Sequence, residues 1–195
     1  MRSRLARRDA PRRLVIGLGI ALLGVLAVGT SASAGVTAPI GGPGERDTAC
    51  TNSALQRFGY WEGEWVVKDG RGTVIGTNSV TRALGGCAYH EHWASRKGEL
   101  GESFTTYDRL DGTWHELYIG SGGYVLALRG AFVGDTLVLT TLPHPSASDH
   151  DVQVVERWKW EPLDNRRLRQ TGAISSDGGV TWRTKFMELY ERAAR

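Results

Sequence analysis

The sequence predicts an all-β protein that forms a single antiparallel up-and-down β-barrel of about ten strands. Glycine-containing turn signals such as Asp111-Gly112 and Gly134-Asp135 recur at short intervals from residue 60 onwards. The stretches between them are rich in Val, Thr, Trp, Tyr and Leu and alternate apolar with polar residues, which is the period of a strand. Because a long open sheet has adhesive edges, we expect it to close into a barrel that can enclose one small ligand.

Each predicted strand is a stretch of alternating residues between two turn signals. Residues 52–58 are the one segment predicted to form a helical turn, and the longest connection, residues 142–151, is expected at a mouth of the barrel. The predicted strands span residues 60–68, 73–84, 87–95, 102–108, 113–119, 124–130, 136–142, 152–160, 166–174 and 181–191.

The N-terminus has the pattern of an export signal. Six Arg residues precede an uninterrupted apolar run at residues 14–28, which is followed by the small residues 31–35. This order predicts a cleaved signal peptide at residues 1–34 and a secreted or periplasmic protein. The run is shorter than the roughly 20 residues of a membrane-spanning helix, so no stable span is expected after cleavage. The pair Arg12-Arg13 leaves ordinary and twin-arginine export both open.

Removal of the signal peptide changes the charge of the chain. The full sequence has 24 Lys and Arg against 21 Asp and Glu, whereas residues 35–195 have 18 against 20, a formal net charge of −2. A nucleic-acid-binding domain needs a basic face, so no nucleic-acid partner is expected. Residues 35–49 contain too few apolar groups to pack and predict a flexible lead-in, which leaves residues 50–195 as one barrel domain.

The two cysteines, Cys50 and Cys87, are predicted to form a disulfide. An even number of cysteines in an oxidising compartment indicates a bridge, and closing a loop of this size is worth about 3–4 kcal/mol in the chain-entropy model. The alternative, a redox or metal-binding pair, lacks the C-x-x-C spacing.

Three of the predicted strands place a carboxylate between aromatic or apolar residues on one face, as in Tyr89, Glu91 and Trp93. A carboxylate inside a barrel is costly unless it is paired. Three alternatives are open for such a carboxylate. It can be paired inside the barrel, either with the charge of Arg129, Arg157, Arg167 or Arg169 or with the neutral amide of Gln170. It can bind a ligand, or a bulge can turn it outwards. The candidate cavity residues are Trp65, Tyr89, Glu91, Trp93, Tyr107, Trp114, Glu116, Tyr118, Glu156, Trp158 and Arg169.

Histidines offer a weak candidate metal site. His90 and His92 share one face of a predicted strand, and His115 on a nearby strand could complete three ligands. The alternatives are histidines that face solvent or polar neighbours, or a single histidine that binds haem. Without further ligand spacing the sequence predicts no metal and no cofactor.

A second local motif, Ser175-x-Asp177-Gly178-Gly179-x-Thr181-Trp182, matches the Asp-box of sialidase-like propellers. A propeller needs several copies of its repeat, and this chain has one. We therefore interpret the motif as a hairpin turn in which Asp and Ser side chains bind turn amides.

A set of short motifs runs in a fixed order along the mature chain. The motifs are Cys50, Phe58-x-x-Trp61-x-Gly63-x-Trp65, Gly76-Thr77-Asn78, Gly86-Cys87-x-x-x-Glu91-x-Trp93, Tyr107-Asp108, Trp114-His115, Pro162-Leu163, Arg167-x-Arg169-Gln170 and the Asp-box turn. Gly63-x-Trp65 on the first predicted strand is similar to the G-x-W motif of lipocalin-like barrels. Together the motifs give a resemblance, over residues 50–192, to a family of secreted bacterial proteins with a lipocalin-like (calycin) barrel.

The resemblance implies the fold, export and an Arg that packs on Trp65, for which Arg167 and Arg169 are the candidates. It implies no activity. Glu116 and Tyr118 depart from the pattern, where an amide and a second Trp are expected.

Three classes of function fit these features. The first is a module that binds a small, partly apolar ligand in the barrel, because seven Trp and several carboxylates occupy alternating positions. The second is a small non-covalent acid/base enzyme (an isomerase, cyclase or hydrolase) with Glu91 or Glu156 as the acid or base and Tyr107 or His115 as helper. No G-x-S-x-G motif supports covalent catalysis, and the sequence leaves enzymatic activity undecided. The third is a structural or interaction protein of the envelope.

Overall fold

The computed structural model describes Cys50 and residues 53–194. The predicted signal peptide, residues 1–34, and the predicted lead-in, residues 35–49, lie outside the described residues. In the described part of the chain, no helix has the length and apolar character needed to cross a membrane.

The structure confirms the all-β prediction, and each predicted strand corresponds to an observed one. A short eleventh strand, β8, lies within the predicted long connection. The helical elements of residues 53–194 are α1 (Ser53–Gln56) and the 3₁₀ turns Gly59–Trp61 and Leu84–Gly86. The strands are β1 (Gly63–Asp69), β2 (Val74–Ala83), β3 (Ala88–Ser95), β4 (Leu100–Asp108), β5 (Thr113–Gly120), β6 (Val125–Val133), β7 (Thr136–Thr141), β8 (His144–Pro145), β9 (Gln153–Pro162), β10 (Arg167–Ser175) and β11 (Arg183–Arg192).

The strands close into an antiparallel up-and-down barrel of ten strands, as predicted. Each barrel strand pairs with the next along the chain; β7 pairs with β9, and the two-residue β8 pairs with β9 alone. The pairing of β1 with β11 closes the ring. The sheet therefore has no free long edge, and side chains alternate between the interior and the outer surface.

Alternation places the predicted carboxylates inside the barrel. Glu91, Glu116 and Glu156 are 4%, 3% and 5% exposed. The register shifts fall between Val67 and Lys68 and between Gly172 and Ala173, away from these three residues. The interpretation in which a bulge turns the carboxylates outwards is therefore wrong.

Aromatic side chains fill one end of the barrel, which we call the plugged end. Phe58, on the segment before β1, is fully buried and its ring meets the rings of Tyr89, Trp114 and Trp160 from three different strands. Trp61 stacks on Trp65 at 5.8 Å between centroids. The predicted disulfide between Cys50 and Cys87 is present and ties this covering segment to the start of β3.

Arg192 on the last strand holds Trp65 in place. Its guanidinium lies 4.1 Å from the centroid of the Trp65 ring and donates hydrogen bonds to the carbonyl oxygens of Tyr60 and Glu62. The prediction of Arg167 or Arg169 for this role is wrong. Closure pairs β1 with β11, and in that pairing Arg192 stands directly opposite Trp65.

Aromatic rings also lie across the other end, which we call the open end. Here several rings rest directly on glycine, where an added Cβ would collide with the ring. Such pairs let a large side chain lie flat against the neighbouring strand. The pairs are Trp93 over Gly76, Tyr118 over Gly101, Tyr124 over Gly120 and Phe186 over Gly172.

Candidate functional site

A group of polar side chains occupies the barrel interior between the plugged end and the open end. Along β3, for example, Tyr89 packs in the plug, Trp93 lies at the open end, and Glu91 stands between them. All of these polar residues are buried except Glu188, which is half-buried. This polar layer consists of Asn78 on β2, Glu91 on β3, Ser103 and Thr105 on β4, Glu116 on β5, Gln170 on β10, and Glu188 and Tyr190 on β11.

Both oxygens of Glu91 have protein donors. The Asn78 amide donates to one at 2.8 Å, and the Ser103 hydroxyl donates to the other at 2.7 Å. Burial nevertheless raises the pKa of Glu91, although these two hydrogen bonds oppose the increase. The carboxyl is therefore held in a fixed orientation by neutral groups.

Glu116 is the unusual member of the polar layer. Within the part of the chain that the structure describes, neither of its carboxylate oxygens has a hydrogen-bond partner, although both are buried. Burial raises the pKa of Glu116 well above its ordinary value, and the charge of Glu91 raises it further, against a lowering by Thr105 opposite it on β4. The amide oxygen of Asn78 also lacks a partner. A buried acceptor without a donor costs about 1–3 kcal/mol.

Glu188 and Tyr190 complete the layer from β11. The Tyr190 hydroxyl donates to Gln170 at 2.7 Å and lies 3.2 Å from a Glu188 carboxylate oxygen. Burial raises the pKa of Glu188 to about 7, and the nearby charge of Glu91 contributes to this rise. Burial and the Glu188 charge also raise the pKa of Tyr190.

No cation balances these carboxylates from within the described residues. No Lys or Arg of residues 53–194 forms a hydrogen bond or ion pair with Glu91, Glu116 or Glu188. Near neutral pH the polar layer must therefore hold shared protons or an excess of negative charge.

Glu156, closer to the open end, has a different environment. Lys185 donates to one of its oxygens at 2.7 Å, and the Trp158 indole N–H donates to the other at 3.2 Å. The ion-pair interpretation therefore holds for Glu156, but with a partner outside the predicted set. Arg157, one of the predicted partners, instead lies over the Trp182 ring at 4.0 Å.

Aromatic rings border the polar layer on the side of the open end. Trp158 forms edge-to-face contacts with Tyr118 and with Phe186, each at 5.5 Å between centroids. Tyr118 lies two residues beyond Glu116 on the same face of β5. A molecule bound at Glu116 would thus meet these rings with its apolar part.

The structure separates the predicted site residues into four groups. Glu91 and Glu116 lie in the polar layer; Trp93, Tyr118, Glu156 and Trp158 lie towards the open end; Trp65, Tyr89 and Trp114 belong to the plug; and Tyr107 packs on Trp114 beside it.

The assignment of Arg169 to the cavity is wrong. Its side chain is half-exposed on the outer surface, where it donates two hydrogen bonds to Glu161. Arg169 is neighboured along β10 by the buried residues Leu168 and Gln170, and alternation therefore directs it outwards.

Sequence reasoning missed Asn78, Ser103, Thr105, Glu188 and Tyr190 as candidate site residues. For Glu188 and Tyr190 the signal was present. In β11 the residues Phe186, Glu188 and Tyr190 alternate on one face, with a carboxylate between two aromatic residues. This is the same pattern that identified Glu91 and Glu116.

The acid/base arrangement proposed for an enzyme is not assembled. His115 faces outwards and contacts Asp111 at 2.8 Å and Thr113 at 2.9 Å. Among the described residues, no hydrogen bond or ion pair joins His115 or Tyr107 to Glu91 or Glu156.

The three histidines are not brought together. His90 and His92 bind the two oxygens of Glu102 on the outer face, at 2.6 and 2.5 Å, and His90 stacks on Phe104. Partial burial acts to raise the pKa of Glu102, but the hydrogen bonds from both imidazoles outweigh it and lower the pKa. His115 instead stands beside Asp108 and Asp111 at an exposed turn, where hydrogen bonds within the turn account for its contacts.

The Asp-box segment forms the hairpin turn between β10 and β11, as predicted. Asp177 accepts hydrogen bonds from Ser175 and from the backbone and hydroxyl of Thr181, which lower the pKa of Asp177. The Trp182 indole donates to the Gly179 carbonyl at 2.9 Å. These contacts stay within the turn and give it a structural role.

Comparison with known proteins does not place the chain in a family. No protein-family model matches it, and a search of curated proteins finds no relative.

Proposed function

We propose that this chain is an exported binding protein with a lipocalin-like barrel, related to the secreted bacterial proteins that its sequence resembles. It takes a small, partly apolar ligand into the polar layer through the open end. The Cys50–Cys87 bridge supports a location outside the cytoplasm, because disulfides persist in oxidising compartments.

The observation that carries the proposal is the unpartnered carboxylate of Glu116. Most buried polar groups in folded proteins have a hydrogen-bond partner, and an exception in the interior calls for a functional explanation. Here both oxygens of one carboxylate lack a donor, and the residue is 3% exposed. A ligand that supplies donors would satisfy these oxygens.

The open end supports this route into the barrel. Trp93 and Phe186 are half-buried rings that lie over glycines, so side chains rather than a backbone segment cover this end of the barrel. The plugged end offers no such route, because Phe58 and Trp61 are 0% and 1% exposed and a backbone segment covers them.

The test is a titration of the disulfide-bonded chain with a panel of small ring compounds that carry ammonium, hydroxyl or carboxylate groups. A ligand should change the tryptophan emission in a saturable way, because Trp158 lies beside the polar layer. The same ligand should raise the free energy of unfolding by about 2.7 kcal/mol at a concentration of 100 times its Kd.

Two Trp variants locate the binding site. Trp158→Phe should lose most of the emission change, whereas the matched variant Trp182→Phe, on the outer hairpin turn, should keep it. The proposal fails if no compound alters either the emission or the thermal midpoint.

A further inference from the structure

Building on the proposed function, we infer that the ligand is an organic cation. Its ammonium or amidinium head binds the Glu116 carboxylate beside Glu91, and its apolar body extends towards Tyr118 and Trp158.

The polar layer contains three carboxyl groups without a matching protein cation. Glu91, Glu116 and Glu188 form no ion pair with any Lys or Arg among residues 53–194. Buried carboxylates are normally paired with a cation, because an unpaired charge in a barrel interior is costly. A cationic ligand supplies that positive charge, whereas an anionic ligand would meet three carboxyl groups and no cation to hold it.

Three hydrogen-bond donors of the polar layer are directed to residues other than Glu116. Asn78 and Ser103 donate to Glu91, and the Tyr190 hydroxyl donates to Gln170 and lies close to Glu188. The Thr105 hydroxyl stands opposite Glu116 and lowers the pKa of Glu116, but within the described residues neither Glu116 oxygen accepts a hydrogen bond of normal geometry. A head group with several N–H donors and no acceptor, such as an ammonium, fits this set of acceptors.

Glu156 and Glu116 differ in their cation partners. At Glu156 the protein provides its own ammonium group, the Lys185 Nζ, at 2.7 Å. Glu116 is an equally buried carboxylate that lacks such a partner among the described residues. A bound ammonium would pair with Glu116 as the Lys185 ammonium pairs with Glu156.

The strand geometry gives the ligand its shape. Glu116 and Tyr118 are successive residues on one face of β5, so their side chains start about 6–7 Å apart along the strand. Trp158 contacts Tyr118 from β9. The ligand is therefore expected to carry its cation a few bonds away from a flat apolar ring, which can also draw cation–π attraction from the aromatic border.

Binding of a cation should release protons. Burial raises the pKa values of Glu91, Glu116 and Glu188, so these carboxyl groups keep their protons to a higher pH than an exposed Glu does. A nearby positive charge favours the ionised carboxylates and expels those protons. The other charged groups near the layer, His90 and Glu102, lie on the outer face.

The experiment uses three probes of one shape: 2-phenylethylamine, 2-phenylethanol and 3-phenylpropanoate, titrated calorimetrically into the whole chain at pH 6.5. We expect the amine to bind about 10- to 100-fold more tightly than the alcohol, the worth of a charge-assisted hydrogen bond. The anion should not bind. Repeating the amine titration in buffers of different ionisation enthalpy should show net proton release.

Two variants assign the effect to Glu116. In Glu116→Gln the amine should lose its advantage over the alcohol, while the affinity for the alcohol stays within about threefold. In the matched variant Glu156→Gln the amine should still bind more tightly than the alcohol, because the Glu156 carboxylate is already paired with Lys185 and is not expected to bind the ligand.

The outcomes separate this inference from the proposed function. The cation inference is overturned, and the proposed binding function kept, if the alcohol or the anion binds as tightly as the amine. The same holds if a neutral or anionic compound of the panel binds while every ammonium compound fails. Failure of every compound in the panel overturns both. The comparison of probes on the unmodified chain decides the question even if a variant does not fold.

Discussion

The plugged end and the polar layer of this barrel use buried space in opposite ways. In the plug, aromatic rings pack on one another, and the Arg192 guanidinium covers Trp65 and donates hydrogen bonds to two carbonyl oxygens. The indole nitrogen of Trp160 is an exception, since it has no partner among the described residues. In the polar layer, three buried or half-buried carboxyl groups have no ion pair with a Lys or Arg of residues 53–194. The difference indicates that the plug stabilises the fold, whereas the polar layer costs stability, as the proposed binding site would require.

The largest expected effect comes from breaking the plug. Trp65→Ala removes a ring that is 3% exposed, stacks on Trp61 and supports Arg192, so the free energy of unfolding should fall by about 3–5 kcal/mol. Urea denaturation at pH 7 measures it, with Glu116→Gln in the polar layer as the comparison. A loss below about 1 kcal/mol would show that the plug does not hold the barrel together.

The second effect is an unusual dependence of stability on pH. Burial raises the pKa of Glu188 to about 7, so the folded chain binds more protons than the unfolded chain between about pH 4.5 and 7. Stability should therefore fall as the pH rises through this window, by up to about 3 kcal/mol from Glu188 alone. Glu91 and Glu116 act in the same direction.

Urea denaturation at pH 5, 6 and 7 checks this slope, and Glu188→Gln should flatten it. Below about pH 4 the trend reverses, because Glu102 and Asp177 have lowered pKa values and lose their stabilising contribution as they take up protons. Stability that rises steadily from pH 5 to pH 7 would mean that the polar layer is not strained at neutral pH.

The smallest effect is also the sharpest test of the contrast between carboxylates. Glu156→Gln should cost about 1–2 kcal/mol, because it breaks an ion pair whose lysine is half-exposed. Glu116→Gln should leave stability unchanged or raise it by about 1 kcal/mol, because it removes an unpaired charge. Thermal and urea denaturation of both variants at pH 7 measure the two changes in the free energy of unfolding. Equal losses would show that Glu116 and Glu156 contribute to stability in the same way.

The strands could be predicted from the sequence because they follow from local alternation of apolar and polar residues. The disulfide could be predicted because the mature chain has an even number of cysteines, Cys50 and Cys87. Alternation placed Glu91, Glu116 and Glu156 inside correctly. What the pattern lacks is the register of distant strands. It could not reveal that Lys185 reaches Glu156 while Glu116 has no partner among the described residues, because Lys185 on β11 crosses β10 to reach β9.

The unknown register of distant strands also explains why the wrong arginine was predicted to pack on Trp65. Arg167 and Arg169 sit in a late strand, as the resemblance requires, but they form ion pairs with Asp164 and Glu161 close to them in sequence. Arg192 stands opposite Trp65 only because the last strand closes on the first. Closure depends on the pairing of the first strand with the last, so no short segment of the sequence can predict it.

The position of Arg192 also has a consequence for how the chain folds. The residue that clamps the plug lies near the end of the last strand, and its hydrogen bonds reach carbonyl oxygens 130 and 132 positions earlier. Strand pairing can proceed from β1 to β10 as the chain emerges, but the plug is locked only after β11 docks. Contacts of such long range make folding slow, on the order of milliseconds to seconds. Until β11 docks, Trp65 is not covered by Arg192. A chain that ends before residue 192 would keep the aromatic rings of the plug exposed, and exposed apolar surface of this kind promotes aggregation.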